Sequence, residues 1–230
     1  MKNFKKNLDH QSQFNTLINI PISYTHLNSG ANKPLLVFFH GFADSARAFL
    51  KRAYPEPSLQ YEILAINGPF PVPQQKDGIW KHAFAWYFSD FTTGTIYIHP
   101  RVAAQAVHDL LTELDLHSRK KILIGFSQGG FFIPHVLQLL KNVEHVIAIG
   151  ATYRSEDYPS ILTMSVDALH GVYDGVIPFE KAQKSFQDFK TKNPNGVFIQ
   201  FENMGHTMNS EARAWLNFKI NQVFDKSAQV

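Results

Sequence analysis

Six short apolar runs recur along the chain: Leu35–Phe39, Ile63–Ile66, Lys121–Ile124, His145–Ile149, Val166–Leu169 and Val197–Phe201. Several are apolar on both faces. Such strands need cover on both sides, which is the environment of a buried parallel sheet. Helical patterns lie between the runs. Pro100 suits the first position of a helix, and Ala103, Val107, Leu110, Leu111 and Leu114 form its apolar stripe. Phe131, Val136, Leu139 and Leu140 repeat the pattern. Pro178 opens a third stretch with Ala182, Phe186 and Phe189, and Ala212, Trp215, Leu216, Ile220, Val223 and Phe224 mark a fourth. The alternation predicts an α/β fold, a mostly parallel central sheet with helices on both faces. Ligands bind such sheets at the carboxyl ends of the strands.

One domain suffices for this architecture, since the chain has 230 residues, 44% of them hydrophobic. A chain of that size buries about 70% of its unfolded surface and needs no covalent staple. Residues 1–16 are polar and lysine-bearing and are expected to form a flexible tail ahead of a single domain over 17–230. The absence of cysteine excludes a disulfide framework, a thiolate nucleophile and a sulfur-built zinc site. No apolar run approaches the ~20 residues that cross a bilayer, and no signal peptide is read at the start. A cytoplasmic protein without a membrane span is expected. A net charge of +3 is too weak a field to argue for nucleic acid. With no His-Glu-x-x-His, phosphate-loop or dinucleotide pattern, no metal or cofactor is expected. No pattern in the sequence specifies an oligomeric state.

The strand ends carry the chemistry. After the run at Ile122–Ile124 comes Gly125-Phe-Ser127-Gln-Gly129, a G-x-S-x-G string. Such a string turns up by chance in roughly one chain in twenty of this composition, so its place between a strand and a helix is what makes it informative. A sharp strand-to-helix turn leaves its serine hydroxyl standing above the sheet. A serine hydroxyl needs a base, and the base needs an orienting group. In the α/β-hydrolase arrangement the acid and then the histidine follow the serine. Asp174 follows the Val166–Leu169 run and His206 follows the Val197–Phe201 run. Asp167 is a rival acid only if its strand ends early. His170 precedes Asp174, the wrong order for a base, and reads as a strand-end packing residue. The first long run ends in His40-Gly41-Phe42-Ala43-Asp44. The backbone N–H groups of Phe42 and of Gln128, the residue after the serine, are the expected oxyanion donors. Asp44 is expected to tie the loop down through nearby N–H groups.

At these residues the chain resembles the α/β-hydrolase superfamily and, within it, the phospholipase/carboxylesterase group that includes the acyl-protein thioesterases. Four segments carry the resemblance: the His40-Gly41 loop with Asp44, Gly68-Pro-Phe-Pro with Trp86-Tyr87 beyond it, Gly125-Phe-Ser-Gln-Gly-Gly130, and His170-Gly-x-x-Asp174 with Gly205-His206. It spans nearly all of the chain from about residue 17. It implies an α/β-hydrolase fold with Ser127 as nucleophile, Asp174 as orienting acid and His206 as base. The group usually has a second glycine where Ala43 stands, so the chain departs from it in the oxyanion loop.

Only about 15 residues separate Gly150 from Ser165, leaving no room for a large cap domain. Trp80, Phe84, Trp86 and Phe88 alternate along the next informative stretch, which also holds Tyr87 and Phe91. One side of it could wall an acyl pocket, with Trp86 as the best candidate, or the whole stretch could be ordinary core. The expected function is hydrolysis of a small-molecule carboxylic ester or thioester through a Ser-His-Asp triad and an acyl-enzyme, falling as His206 protonates. The same residues could serve an amide hydrolase, or stand idle in a binding protein.

Overall fold

Each apolar run lies over a strand of one sheet in the computed structural model, which describes residues 20–27, 30, 33–90 and 92–227. The tail expected over residues 1–16 lies outside the described residues, as does Phe91. In chain order the elements are β1 (Tyr24–Leu27), β2 (Leu35–Phe39), α1 (Ala46–Ala53), β3 (Glu62–Ile66), β4 (Phe70–Pro71), β5 (Gln74–Lys76), β6 (Ile79–Lys81), β7 (Phe84–Ala85), β8 (Phe88–Asp90) and β9 (Thr95–Ile98). Then follow α2 (Pro100–Glu113), β10 (Lys121–Phe126), α3 (Gln128–Leu137), β11 (Val143–Ile149), β12 (Ser165–Gly171), α4 (Phe179–Lys190), β13 (Phe198–Phe201) and α5 (Ser210–Ser227). The central sheet has seven strands in the order β1-β3-β2-β10-β11-β12-β13. β1 runs antiparallel at one edge, and the other neighbours are parallel. This is the α/β-hydrolase fold.

Alternation along the strands divides the core in two. Leu35, Val37 and Phe39 point with Leu123, Val146, Ala148, Val166 and Ala168 toward α2, α3 and α4. Leu36 and Phe38 point with Ile122, Ile124, Ile147 and Ile149 toward α1 and α5. Every residue of β2 is buried, each large side chain contributing roughly 2 kcal/mol of burial. At the rim opposite the strands' carboxyl ends, the fully buried Lys121 donates through Nζ to the carbonyls of His117, Arg119 and Lys141 at 2.9, 2.6 and 2.6 Å.

Three features differ from expectation. Helix α1 was not anticipated. Ser45 caps it by accepting from the Ala48 N–H at 3.3 Å, and Ala46, Phe49, Leu50 and Ala53 are its buried stripe. Helix α3 begins at Gln128, directly on the serine turn, ahead of its apolar stripe. The aromatic stretch is a set of small antiparallel pairs, β4–β7, β5–β6 and β8–β9, with Asp77 and Gly78 at positive φ in the β5–β6 turn. Trp80 is 66% exposed there while Trp86 is 0% exposed, so the alternating aromatics share no common face.

The link from β11 to β12 holds one short 3-10 turn, Ser155–Asp157, and no cap domain. Among the described residues no helix is long and apolar enough to cross a membrane.

Candidate active site

β10 runs into α3 through Ser127, whose backbone sits at φ 50°, ψ −117°. An L-residue held there stores on the order of 1–3 kcal/mol. The turn is held because its surroundings leave no alternative. A Cβ on Gly125 would lie 2.5 Å from the Gly129 carbonyl oxygen, and one on Gly129 would lie 2.1 Å from that of Phe39. The Ser127 N–H donates to Ile149 O at 2.8 Å, pinning the turn to β11. Its half-buried side chain makes no cap bond to α3, and among the described residues its hydroxyl has no hydrogen-bond partner.

β12 and β13 deliver Asp174 and His206. Tyr173 N–H donates to Met204 O at 3.1 Å, so the loops after the two strands lean on each other. His206 Nδ1–H donates to Asp174 Oδ2 at 2.8 Å. The other carboxylate oxygen, Oδ1, accepts from the N–H groups of Val176 and Ile177 at 2.9 and 2.8 Å. With both oxygens engaged and the side chain 1% exposed, the carboxylate has one orientation. It fixes the imidazole tautomer, leaving Nε2 with a lone pair able to take a proton. The His206 ring lies 4.8 Å from the ring of Phe126, the residue before Ser127. Among the described residues no hydrogen bond joins the Ser127 hydroxyl to His206. Such contacts are commonly long in a free enzyme and tighten with substrate.

His170 is a strand-end residue with its ring near those of Phe179 and Phe198. Its Nε2–H donates to Ile177 O at 2.9 Å, and burial pushes its pKa down. It thus also holds the loop that carries Asp174. Asp167 sits inside β12, bonded to His145 at 2.7 Å and 3.3 Å from Lys219 Nζ, away from the strand end.

The loop after β2 carries Phe42. Among the described residues neither the Phe42 nor the Gln128 N–H has a hydrogen-bond acceptor. Ala43 has φ 52°, so the position where the resemblance implies a glycine takes left-handed backbone, and alanine occupies it under strain. Asp44 ties the loop down differently from expectation. Its Oδ2 accepts from Arg52 Nη2 on α1 at 2.6 Å, and its carbonyl accepts from Phe84 N–H at 2.8 Å.

Trp86 is not a pocket wall. It has no exposed surface, stacks on Phe132 at 4.5 Å and 14°, and meets Phe39 edge-on at 5.3 Å. Gly68 causes this, because its missing Cβ would lie 2.2 Å from Ala85 O and the two backbones close inward there. Beside the loop after β2, aromatic surface comes from Phe42, 52% exposed, and the half-buried Phe88 and Phe70, with ring centroids 6.1 Å apart in each successive pair. On the other side Tyr173 and Val176 flank Asp174 and are exposed.

Sequence reasoning missed two buried polar side chains. Gln128 is buried, with Oε1 accepting from Trp86 N–H at 3.0 Å and Nε2 donating to Tyr87 O at 2.9 Å. His40 is fully buried, donates through Nδ1 to Gly41 O at 2.6 Å and accepts at Nε2 from Gly68 N–H at 2.9 Å. Burial lowers its pKa to about 4. The adjacent His-Gly and Ser-Gln pairs were the only signals for either.

The family model described as phospholipase/carboxylesterase matches residues 24–218. No curated protein matches the chain by sequence. Among solved structures, esterase PE8 is 20% identical with a TM-score of 0.65, covering 88% of this chain and 99% of its own. SOBER1 of Arabidopsis thaliana is 18% identical with a TM-score of 0.66, covering 84% and 99%. Acyl-protein thioesterase 2 of Zea mays is 17% identical with a TM-score of 0.61, covering 85% and 98%. At these identities the likeness shows the fold.

Proposed function

The chain belongs to the phospholipase/carboxylesterase family, and from that premise we propose that it is a serine hydrolase cleaving small-molecule carboxylic esters or thioesters through Ser127, His206 and Asp174. The observation that carries the reading is the 2.8 Å bond from His206 Nδ1–H to the buried Asp174 carboxylate, made beside the strained turn of Ser127. Nε2 takes the Ser127 proton as Oγ attacks the acyl carbon, and Asp174 stabilises the imidazolium. The free N–H groups of Phe42 and Gln128 receive the oxyanion, each such donor being worth about 100- to 1,000-fold in kcat. His206 then protonates the leaving alcohol or thiol, and water repeats the cycle on the acyl-enzyme.

Strand order divides the substrate. His206 must reach the leaving group, so that group lies toward β12 and β13, beside Tyr173 and Val176. The acyl group then lies toward β2 and β3, against Phe42, Phe88 and Phe70. An apolar acyl group on a soluble ester suits that open aromatic surface.

The test uses short p-nitrophenyl esters and a fluorophosphonate probe. The wild type is expected to turn over and to label at Ser127, and Ser127→Ala to lose at least about 1,000-fold in kcat and all labelling. Equal turnover by the variant, or folded wild-type protein inert to the probe, overturns the reading.

A further inference from the structure

We propose that His40, Trp86 and Gln128 form a buried hydrogen-bonded circuit that aims the two oxyanion N–H groups, and so act as positioning residues for the transition state. The inference rests on the reading of Ser127 as nucleophile with Phe42 and Gln128 as oxyanion donors.

The Phe42 donor comes first. Its N–H shares a peptide plane with the Gly41 carbonyl, and in a trans peptide the two point in opposite directions. His40 Nδ1–H holds that carbonyl at 2.6 Å. Whatever fixes the direction of the Gly41 oxygen also fixes the direction of the Phe42 hydrogen. Donation to the carbonyl further polarises the amide and strengthens its N–H as a donor. The His40 tautomer is set from behind, because Nε2 accepts from Gly68 N–H at 2.9 Å and the proton must therefore sit on Nδ1. Burial keeps the ring neutral, its pKa lowered to about 4, so this arrangement persists at neutral pH.

The Gln128 donor is held by its own side chain. The amide bonds both Trp86 N–H at 3.0 Å and Tyr87 O at 2.9 Å, a two-point clamp on one extended segment. The circuit closes through Trp86, whose Nε1–H donates to His40 O at 2.8 Å. The two donors lie past the ends of adjacent paired strands, β2 and β10, and the circuit adds a second link beyond that ladder. Segment 68–87 bridges them, with Gly68 bonded to His40 and residues 86–87 bonded to Gln128. His40 and Trp86 are fully buried and Gln128 nearly so, so water does not compete for these bonds.

The test is a kcat-against-KM split on p-nitrophenyl acetate, with active sites counted by fluorophosphonate. A purely structural role would lower the number of active sites, whereas a positioning role lowers kcat per active site. Gln128→Met keeps the backbone N–H and side-chain length but loses both clamp bonds. It is expected to lose about ten- to a hundredfold in kcat with KM changed less than about twofold. Trp86→Phe keeps the ring on Phe132, removes only the Nε1–H, and is expected to lose about three- to tenfold. His40→Asn, which can still donate to the Gly41 carbonyl, is expected to retain more kcat than His40→Leu. Affinity for an aryl boronate, whose tetrahedral adduct occupies the oxyanion site, should fall in step with kcat. Unchanged kcat per active site in folded Trp86→Phe or Gln128→Met, or His40→Leu equal to His40→Asn, overturns the circuit. A wild-type protein inert to fluorophosphonate would instead overturn the underlying function.

Discussion

Gly150→Ala separates the geometry of His206 from the stability of the fold. Gly150 has φ +59°, and a Cβ there would lie 3.3 Å from both Cε1 and Nδ1 of His206 and 3.5 Å from Asp174 Oδ2. Its N–H donates to Leu169 O at 2.9 Å, so the backbone is anchored and the histidine must yield. Left-handed backbone costs an L-residue roughly 1–2 kcal/mol. Restricting the unfolded chain returns roughly 0.4–1 kcal/mol. The net loss is about 1 kcal/mol, or about 2–4 °C in Tm. A domain stable by about 5–15 kcal/mol stays folded after such a loss, so stability alone leaves kcat unchanged. The site behaves differently. Carbon atoms prefer separations of about 3.5–4.0 Å, so the ring moves by a few tenths of an ångström. Since about 1 Å of misplacement costs about a hundredfold, kcat should fall about three- to tenfold. Stopped-flow hydrolysis of p-nitrophenyl acetate, on protein shown to be folded by circular dichroism, measures the loss. Gly175→Ala is the control, because a Cβ there meets nothing within 4 Å. A Gly150→Ala enzyme with lowered Tm and unchanged kcat would refute the position assigned to His206.

Two other expectations concern stability. Ala43→Gly relieves the left-handed strain at φ 52° and should raise the unfolding free energy by about 0.5–1 kcal/mol in urea titration; a decrease would mean that the alanine methyl contributes more by packing than its backbone loses. His40 has its folded pKa depressed by burial from 6.5 to about 4, so the unfolded chain binds the extra proton between those values. Its contribution is fully present above pH 6.5 and is lost as pH falls toward 4, on the order of 3 kcal/mol in all. Urea midpoints between pH 7 and 4.5 should fall more steeply for the wild type than for His40→Asn. Parallel curves would contradict the burial of a neutral imidazole.

The sheet was legible because strands buried on both faces leave unbroken apolar runs, and each of the six runs lies over a parallel strand. Helix α1 was not, although Ala46, Phe49, Leu50 and Ala53 have helical spacing. Eight residues give two turns, too short a window for periodicity to stand out among basic neighbours. The start of α3 was hidden for another reason. Gln128, Gly129 and Gly130 are weak evidence of a helix by propensity, and the turn at Ser127 imposes it on them. Of the two readings that the alternation from Trp80 to Phe88 leaves open, pocket wall and core, Trp86 takes the second. The chain leaves β6 after Lys81, forms the two-residue β7 and turns again before β8, so the side-chain phase is reset twice.

Within the site, legibility follows the kind of group that does the work. Ser127, Asp174 and His206 would act through their own side chains, and hydroxyl, carboxylate and imidazole are written in the sequence. Phe42 and Gln128 would act through backbone N–H groups that every residue but proline carries, so only a motif could point to them. His40 and the Gln128 amide stand one step further back. Their partners are Gly41 O, Gly68 N–H, Trp86 N–H and Tyr87 O, all backbone. No side-chain pattern marks a polar residue whose only partners are peptide groups brought near by the fold. Such a residue reads as an unexplained buried polar group until its partners are seen. Burial itself is then the clue, since an imidazole and an amide with almost no exposed surface persist in a core only when their hydrogen bonds are made. Here the His40 bond ends on the peptide that carries the Phe42 N–H, and the Gln128 bonds anchor the residue whose own N–H is the second proposed donor.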